Sequence, residues 1–127
     1  IDIQLRLRPS KGGPLTSVKA DGESSRSVAE RVLSARQRQR ARWSEHGYTR
    51  NADVAGPLIR RSVRGIDGLA VIDDAVRRGQ LSARGVDKVL RLAWTVADLM
   101  EHARPDRSDI HVALGMRRGE SEEVRCA

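Results

Sequence analysis

Arginine recurs at positions 36, 38, 40 and 42, separated by Gln37, Gln39 and Ala41, and this run is the feature whose residue type and spacing most readily do chemistry. On a helix, Arg36 stands over Arg40 on one face and Arg38 over Arg42 on another. Like charges at that spacing repel by roughly 0.2–0.5 kcal/mol per pair, a cost that a phosphate or a neighbouring carboxylate relieves. The run lies toward the C-terminal end of its helix, where the dipole favours cations. Its readings are a solvated face, a subunit or anion contact, and a DNA contact. Trp43, directly after it, reads as a packing anchor rather than a base-stacking platform. His46, His102 and His111 are dispersed and read as surface or packing residues. Cys126 is the only cysteine, so no internal disulfide and no metal-ligand spacing arises. There is no Gly-x-x-x-x-Gly-Lys-Ser/Thr phosphate loop, no acidic pair after an apolar strand, no Gly-x-Ser-x-Gly and no Cys/His dyad. The chain is not expected to hydrolyse nucleotides by itself.

These side chains need a scaffold, and 127 residues are enough for one small domain with tails. Aromatic residues are 2% and phenylalanine is absent, so the core must come from Leu, Val, Ile and Ala, as in packed helices. Lysine and arginine total 24 against 17 acidic residues, a net charge of +7 that invites an anionic partner or simply a solvated basic surface. Nothing resembles a signal peptide or a membrane span. The absence of both, with the lone cysteine, predicts a cytoplasmic setting.

Residues 1–8 alternate apolar Ile1, Ile3, Leu5 and Leu7 with polar neighbours, the pattern of a half-buried strand. No second such run follows, so the strand is expected to belong to a sheet elsewhere in a longer chain. Residues 9–23, with Pro9, Gly12, Gly13, Pro14 and Gly22, read as a linker. A first helix is predicted from Ser24–Ser27, where Ser27 and Glu30 have capping-box spacing, to Glu45 or His46, with Val28, Val32 and Ala35 on the core face. Pro57 suits the first turn of a short helix carrying Leu58 and Ile59. A third helix is predicted over 67–78, with Leu69, Ile72, Ala75 and Val76 inward. Ser82 is the expected cap of a fourth, in which Val86, Val89, Leu90, Ala93, Val96, Ala97 and Met100 recur at helical spacing. Ser108 is the expected cap of a fifth, carrying Ile110, Ala113 and Leu114.

The segment Leu81-Ser82-Ala83-Arg84 through Val89-Leu90-Arg91-Leu92-Ala93-Trp94-Thr95-Val96-Ala97-Asp98-Leu99 closely resembles the "LSAR…ILRVARTIADL" stretch of magnesium-chelatase-like AAA+ ATPases of the ComM/YifB group. Gly22-Glu23-Ser24-Ser25, Arg31-Val32 and Ala35-Arg36-Gln37-Arg38-Gln39 are similar to the same family's "ESS…RV..AR.RQ" helix. Asn51-Ala52 looks like its "NA" turn, Ser108–Leu114 like its closing helix, and Ile1-Asp2-Ile3 like the end of its "LDRID" strand. Gly85, Val86 and Trp94 depart from the family pattern.

The resemblance implies an all-α fold, a bundle of four to five helices of the AAA+ lid type with an extended N-terminal arm. With the composition of the ends, it divides the chain into a remnant strand and linker (1–22), a helical lid (23–116) and, where the residues become charged and small, an expected disordered tail (117–127). It implies that Arg84 matches the sensor-2 arginine, a nucleotide-binding and catalytic residue reaching toward the γ-phosphate. A guanidinium in a helix's first turn is chemically suited to that, standing beside free N–H groups and the positive end of the dipole. Arg91, two turns on, is expected to be expendable. ATP and Mg2+ would be cofactors of the full-length parent, with none bound by this piece alone. The implied partners are the parent's own ATPase core, neighbouring subunits of a ring, and DNA, with no membrane. The alternative is a free-standing basic nucleic-acid-binding module, in which helices over 67–78 and 82–100 form a helix-turn-helix-like pair.

Overall fold

A serine in extended conformation opens the first helix. Ser24 accepts the backbone N–H of Ser27 at 3.1 Å, and α1 (Ser25–Trp43) follows. The cap is therefore Ser24, three residues ahead of the expected Ser27–Glu30 box. Glu23 fixes that choice by taking the Ser27 hydroxyl at 3.0 Å and both arms of Arg31. One 3₁₀ turn (Ser44–His46) continues α1 until Gly47, at φ 76, ends it in the left-handed conformation that glycine adopts without strain.

The computed structural model describes residues 2–5 and 22–119 of the chain. A 3₁₀ turn (Asn51–Asp53) leads to α2 (Gly56–Ser62), with Pro57 in its first turn where a missing N–H costs nothing. Then come α3 (Leu69–Arg77), α4 (Ala83–Leu99) and α5 (Arg107–Arg118). The fold is an all-α bundle, as expected. Ser82 caps α4 by accepting the Gly85 N–H at 3.1 Å. The apolar stripe of α4 makes it the central helix, packed against α1, α2, α3, α5 and the Asn51–Asp53 turn. Val89, Leu90, Ala93 and Trp94 from α4 meet Trp43, Ile59, Ile72 and Ile110 in one core. Among the described residues no helix is long and apolar enough to cross a membrane.

Four expectations change. The cap of α5 is Asp106, not Ser108: its carboxylate accepts the N–H groups of Ser108 at 2.7 Å and Asp109 at 3.0 Å, while Asp109 returns a bond to the Asp106 N–H at 2.9 Å. This reciprocal box satisfies orphan donors at both ends of the first turn. The helix also runs further than expected, so Arg117 and Arg118 of the supposed tail are helical, and Gly119 closes the end. Residues 120–127 lie outside the described residues, as do Ile1 and residues 6–21. Residues 2–5, expected in a strand, form none and are exposed; Gln4 donates its N–H to the Met116 carbonyl at 2.8 Å. Finally, Val28 and Val32, placed by periodicity on the core face, are 39% and 38% exposed, because only Ala35, Gln39 and Trp43 of α1 reach the bundle.

The joint between α1 and α4 is polar at its centre. Asp98, fully buried, accepts both arms of the Arg42 guanidinium, the bond to Oδ2 measuring 3.1 Å. Asn51 donates from Nδ2 to Asp98 at 2.9 Å and to Thr95 at 3.1 Å, and its Oδ1 accepts the Trp43 indole N–H at 2.8 Å. Gln39 accepts the Asn51 backbone N–H at 3.0 Å. The Arg42 guanidinium also lies over the Trp94 ring, 3.9 Å from its centroid. Removing one member of such a buried pair leaves the other charge uncompensated, at a cost of about 3–5 kcal/mol. Asp98→Ala is therefore expected to destabilise the chain by about that much in urea unfolding. Asp53→Ala, which breaks the exposed Arg50–Asp53 pair, is expected to change stability by less than about 1 kcal/mol.

Candidate functional site

Arg84 stands at the second position of α4, exposed, with no hydrogen-bond or ionic partner among the described residues. Its position follows from its neighbours. Ser82 takes the Gly85 N–H, and Leu81 folds back over the turn, leaving so little room that a Cβ on Gly85 would lie 3.2 Å from Leu81 Cδ2. That explains a residue without a side chain after Arg84. Among the described residues the N–H groups of Ala83 and Arg84 have no cap, so the exposed guanidinium and these two donors share one end of a 17-residue helix. Arg117 of α5 approaches the same end, its Nε lying 3.8 Å from where a Cβ on Gly85 would be.

The arginine run divides as the helical spacing predicts. Arg38 donates to the Asp98 carbonyl at 3.1 Å and to Glu101 Oε1 at 2.8 Å, while Arg42 is held by Asp98 and Asn51. The carboxylates that relieve their repulsion are thus internal. Arg36 and Arg40 are exposed and have no partner among the described residues. Arg91, expected to tolerate alanine, is engaged within the bundle: its Nε and Nη2 both donate to the Val54 carbonyl, at 2.9 and 2.8 Å, tying the loop before α2 to α4. Arg104 likewise donates to the carbonyls of Ser62 and Arg64, each at 3.0 Å, at the end of α2.

Sequence reasoning missed Asp98, whose partners are remote in sequence, and undervalued His102. The ligand-capable atoms of His102, Asp106 and Asp109 lie within 4.8 Å of one another. Their oxygens are already engaged as a helix cap: Asp106 Oδ1 takes the N–H groups of Ser108 and Asp109 and the Ser108 hydroxyl, and Asp109 Oδ2 takes the Asp106 N–H. His102 Nδ1 closes the set, 2.9 Å from Asp109 Oδ2. This hydrogen bond to Asp109 raises the histidine's pKa, while the Ser108 hydroxyl and the Asp109 N–H lower that of Asp106. Two surface crevices, of about 200 and 280 Å³, fall below the size usual for small-molecule pockets, roughly 300–1,000 Å³.

Comparison with known proteins matches residues 22–117 to the family profile described as magnesium chelatase, subunit ChlI C-terminal. The chain is 38% identical over 118 residues to uncharacterised proteins of Mycobacterium tuberculosis and Mycobacterium bovis, which covers 92% of this chain and 23% of each of theirs. It thus spans about a quarter of the length of these curated relatives. No solved structure matches it.

The His102 cap has a pH signature. A histidine whose pKa is raised on folding adds stability that is fully present below its ordinary value near 6.5 and is lost as the pH rises through the folded-state value above it. Chemical denaturation at a series of pH values from 5 to 9 is expected to show this loss in the native sequence and not in His102→Gln. An equal pH dependence in both proteins would remove His102 as its source.

Proposed function

The chain belongs to the family of magnesium chelatase ChlI C-terminal domains, and from that membership we propose that it serves as the helical lid of a longer ATP-dependent AAA+ protein of the ComM type, with Arg84 as its contact to the nucleotide's terminal phosphate. One observation carries the assignment of Arg84. In a molecule where Arg38, Arg42, Arg91 and Arg104 are each tied to internal oxygens, Arg84 is exposed and, among the described residues, has no partner and stands beside two N–H groups without a cap. A planar guanidinium there can take two phosphate oxygens at once, and the helix end adds positive potential without having to rearrange. As negative charge spreads over the oxygens of a transferring phosphoryl group, a donor already in place stabilises the transition state more than the ground state.

On this reading the phosphate loop and the carboxylates that hold Mg2+ belong to the ATPase core. A magnesium ion held by that core would offset the charge of the phosphates. The lid's own part is to hold Arg84 in position and to move with the nucleotide, in a parent that works as a ring and acts on DNA. The rival picture, with α4 as a recognition helix in a DNA groove, meets a physical obstacle. Gly85, Val89, Leu90, Ala93, Trp94, Val96, Ala97 and Asp98 of α4 are all buried, so the helix is the centre of the bundle rather than a free rod.

This chain alone is expected to show no ATP hydrolysis above background in a phosphate-release assay. In the full-length parent, Arg84→Ala is expected to lower hydrolysis by roughly 10- to 1,000-fold with an unchanged melting temperature, because an exposed first-turn residue buries nothing and alanine favours the helix. Arg84→Lys is expected to restore only part of the rate, since an ammonium cannot make the two-pronged contact. Arg61→Ala serves as the control, as Arg61 is exposed on α2 and also has no partner among the described residues. Full hydrolysis by a folded Arg84→Ala protein would overturn the assignment.

A further inference from the structure

The core seam of α1 does not stop where the bundle does. Ala35, Gln39 and Trp43 are buried, whereas none of the residues 25–34 is. Pairing between α1 and α4 runs in opposite senses: Trp43 meets Trp94, Arg42 meets Asp98, and Arg38 reaches Glu101 just past the end of α4. The first ten or so residues of α1 therefore overhang the end of α4 by about 15 Å, at 1.5 Å per residue. Val28 and Val32 lie within about 40° of the line through Ala35, Gln39 and Trp43. Ala29 and Leu33 lie on the adjoining face of the helix, beside Arg36 and Arg40, and Leu33 is 58% exposed. The buried line of Ala35, Gln39 and Trp43 continues, as Val28 and Val32, onto a stretch with nothing against it among the described residues.

We propose that this overhang, Val28, Ala29, Val32 and Leu33 bordered by Arg36 and Arg40, is the seat on which another domain of the same polypeptide docks, presenting apolar side chains to the seam and carboxylates to the two arginines. The proposal rests on the reading of this chain as one part of a longer protein, but not on the role of Arg84. Three observations select the occupant. The seam is continuous with the established α1–α4 interface, so whatever covers it extends that same core. Matching relatives carry about three quarters of their length outside the region aligned here. Arg36 and Arg40 have no partner among the described residues, in a chain whose other helix-borne arginines are largely tied to oxygens.

Size argues for a tethered partner. Four side chains present far less than the ~800 Å² per partner of a stable complex between separate molecules. A domain on the same chain meets the seat at an effective concentration near the millimolar range, where so small a contact suffices. The seat also accounts for valines at core spacing and for a capped, ion-paired start to a helix whose first turns pack against no other described helix.

Hydrogen–deuterium exchange, without nucleotide, tests this in the 127-residue chain and in the full-length parent. The amides of residues 29–34 are expected to exchange at least about tenfold more slowly in the parent, while those of 35–43 are slow in both. The double variant Val32→Asp with Leu33→Asp is expected to abolish the slowing in the parent while leaving the melting temperature of the 127-residue chain unchanged. Arg36→Glu with Arg40→Glu is expected to abolish part of it. Equal exchange in the two proteins, slow exchange already in the 127-residue chain, or slowing that appears only at concentrations where the parent assembles would each overturn the proposal. The second result would assign the seat to this chain's own residues, and the third to a neighbouring subunit. Because nucleotide is left out, none of these outcomes depends on whether Arg84 senses phosphate.

Discussion

The Asp98 carboxylate is the constraint on which the rest of the domain depends. It sits on the central helix with no exposure to water, and a charge so placed is tolerable only when every lone pair finds a donor. Arg42 and Asn51 supply those donors from two separate segments, and each recruits more of the chain. Arg42 brings the faces of Trp43 and Trp94 together, the rings meeting edge to face with centroids 5.9 Å apart. Asn51 accepts from Trp43 and donates its backbone N–H to Gln39, so a turn without an apolar anchor of its own is held in register. A purely apolar joint could be as stable, but would admit α1 at several rotations. The fixed hydrogen-bond geometry admits one.

That constraint changes how the basic charge is read. A net charge of +7 suggests a surface awaiting an anion. Instead, Arg38, Arg42, Arg91 and Arg104 act as clamps on oxygens, two of them closing loops by donating two bonds each to backbone carbonyls. Even Glu101, in the left-handed region where glycine is usual, is held by Arg38 and by the His102 N–H reaching back to the Ala97 carbonyl. Among the described residues, Arg36, Arg40, Arg61 and Arg84 are exposed and carry no such partner. Trp94 is tied into the same joint; its indole N–H bonds Ser62 and its face receives Arg42.

Local signals were legible in the sequence, and long-range ones were not. The Ser82 cap, the stripe of α4 and the inward Ile110, Ala113 and Leu114 depend on neighbours within two turns, and the structure holds them as the spacing predicts. Asp98 could not be distinguished from a surface aspartate, because Arg42 lies 56 residues away and Asn51 47. Arg91 misled for the same reason, since Val54 is 37 residues distant. Val28 and Val32 misled in a different way. Periodicity reports which face of a helix is apolar but not how far its partner helix extends. Caps were misplaced by two or three residues at α1 and α5 because Ser24, Ser27, Asp106 and Ser108 all have capping chemistry, and the choice fell to Glu23 and Asp109. Arg84 was legible as a helix-start arginine, and only the resemblance distinguished it from any other.

The two surfaces argued to meet the rest of the protein lie at opposite ends of α4. Arg84 stands at its start, and the overhang of α1 leaves from beyond its finish, about 25 Å away along a 17-residue helix. Between them lie the Asp98 joint and the core around Trp94. A joint that admits one rotation cannot absorb a displacement by slipping, so force on either end must turn the whole body. On the proposed reading, a lid that passed the state of a phosphate to a distant contact would need this construction, with its charged network buried in the middle rather than placed at the site. The exposed Arg84 then needs no partner of its own, because the helix beneath it is already fixed from the other end.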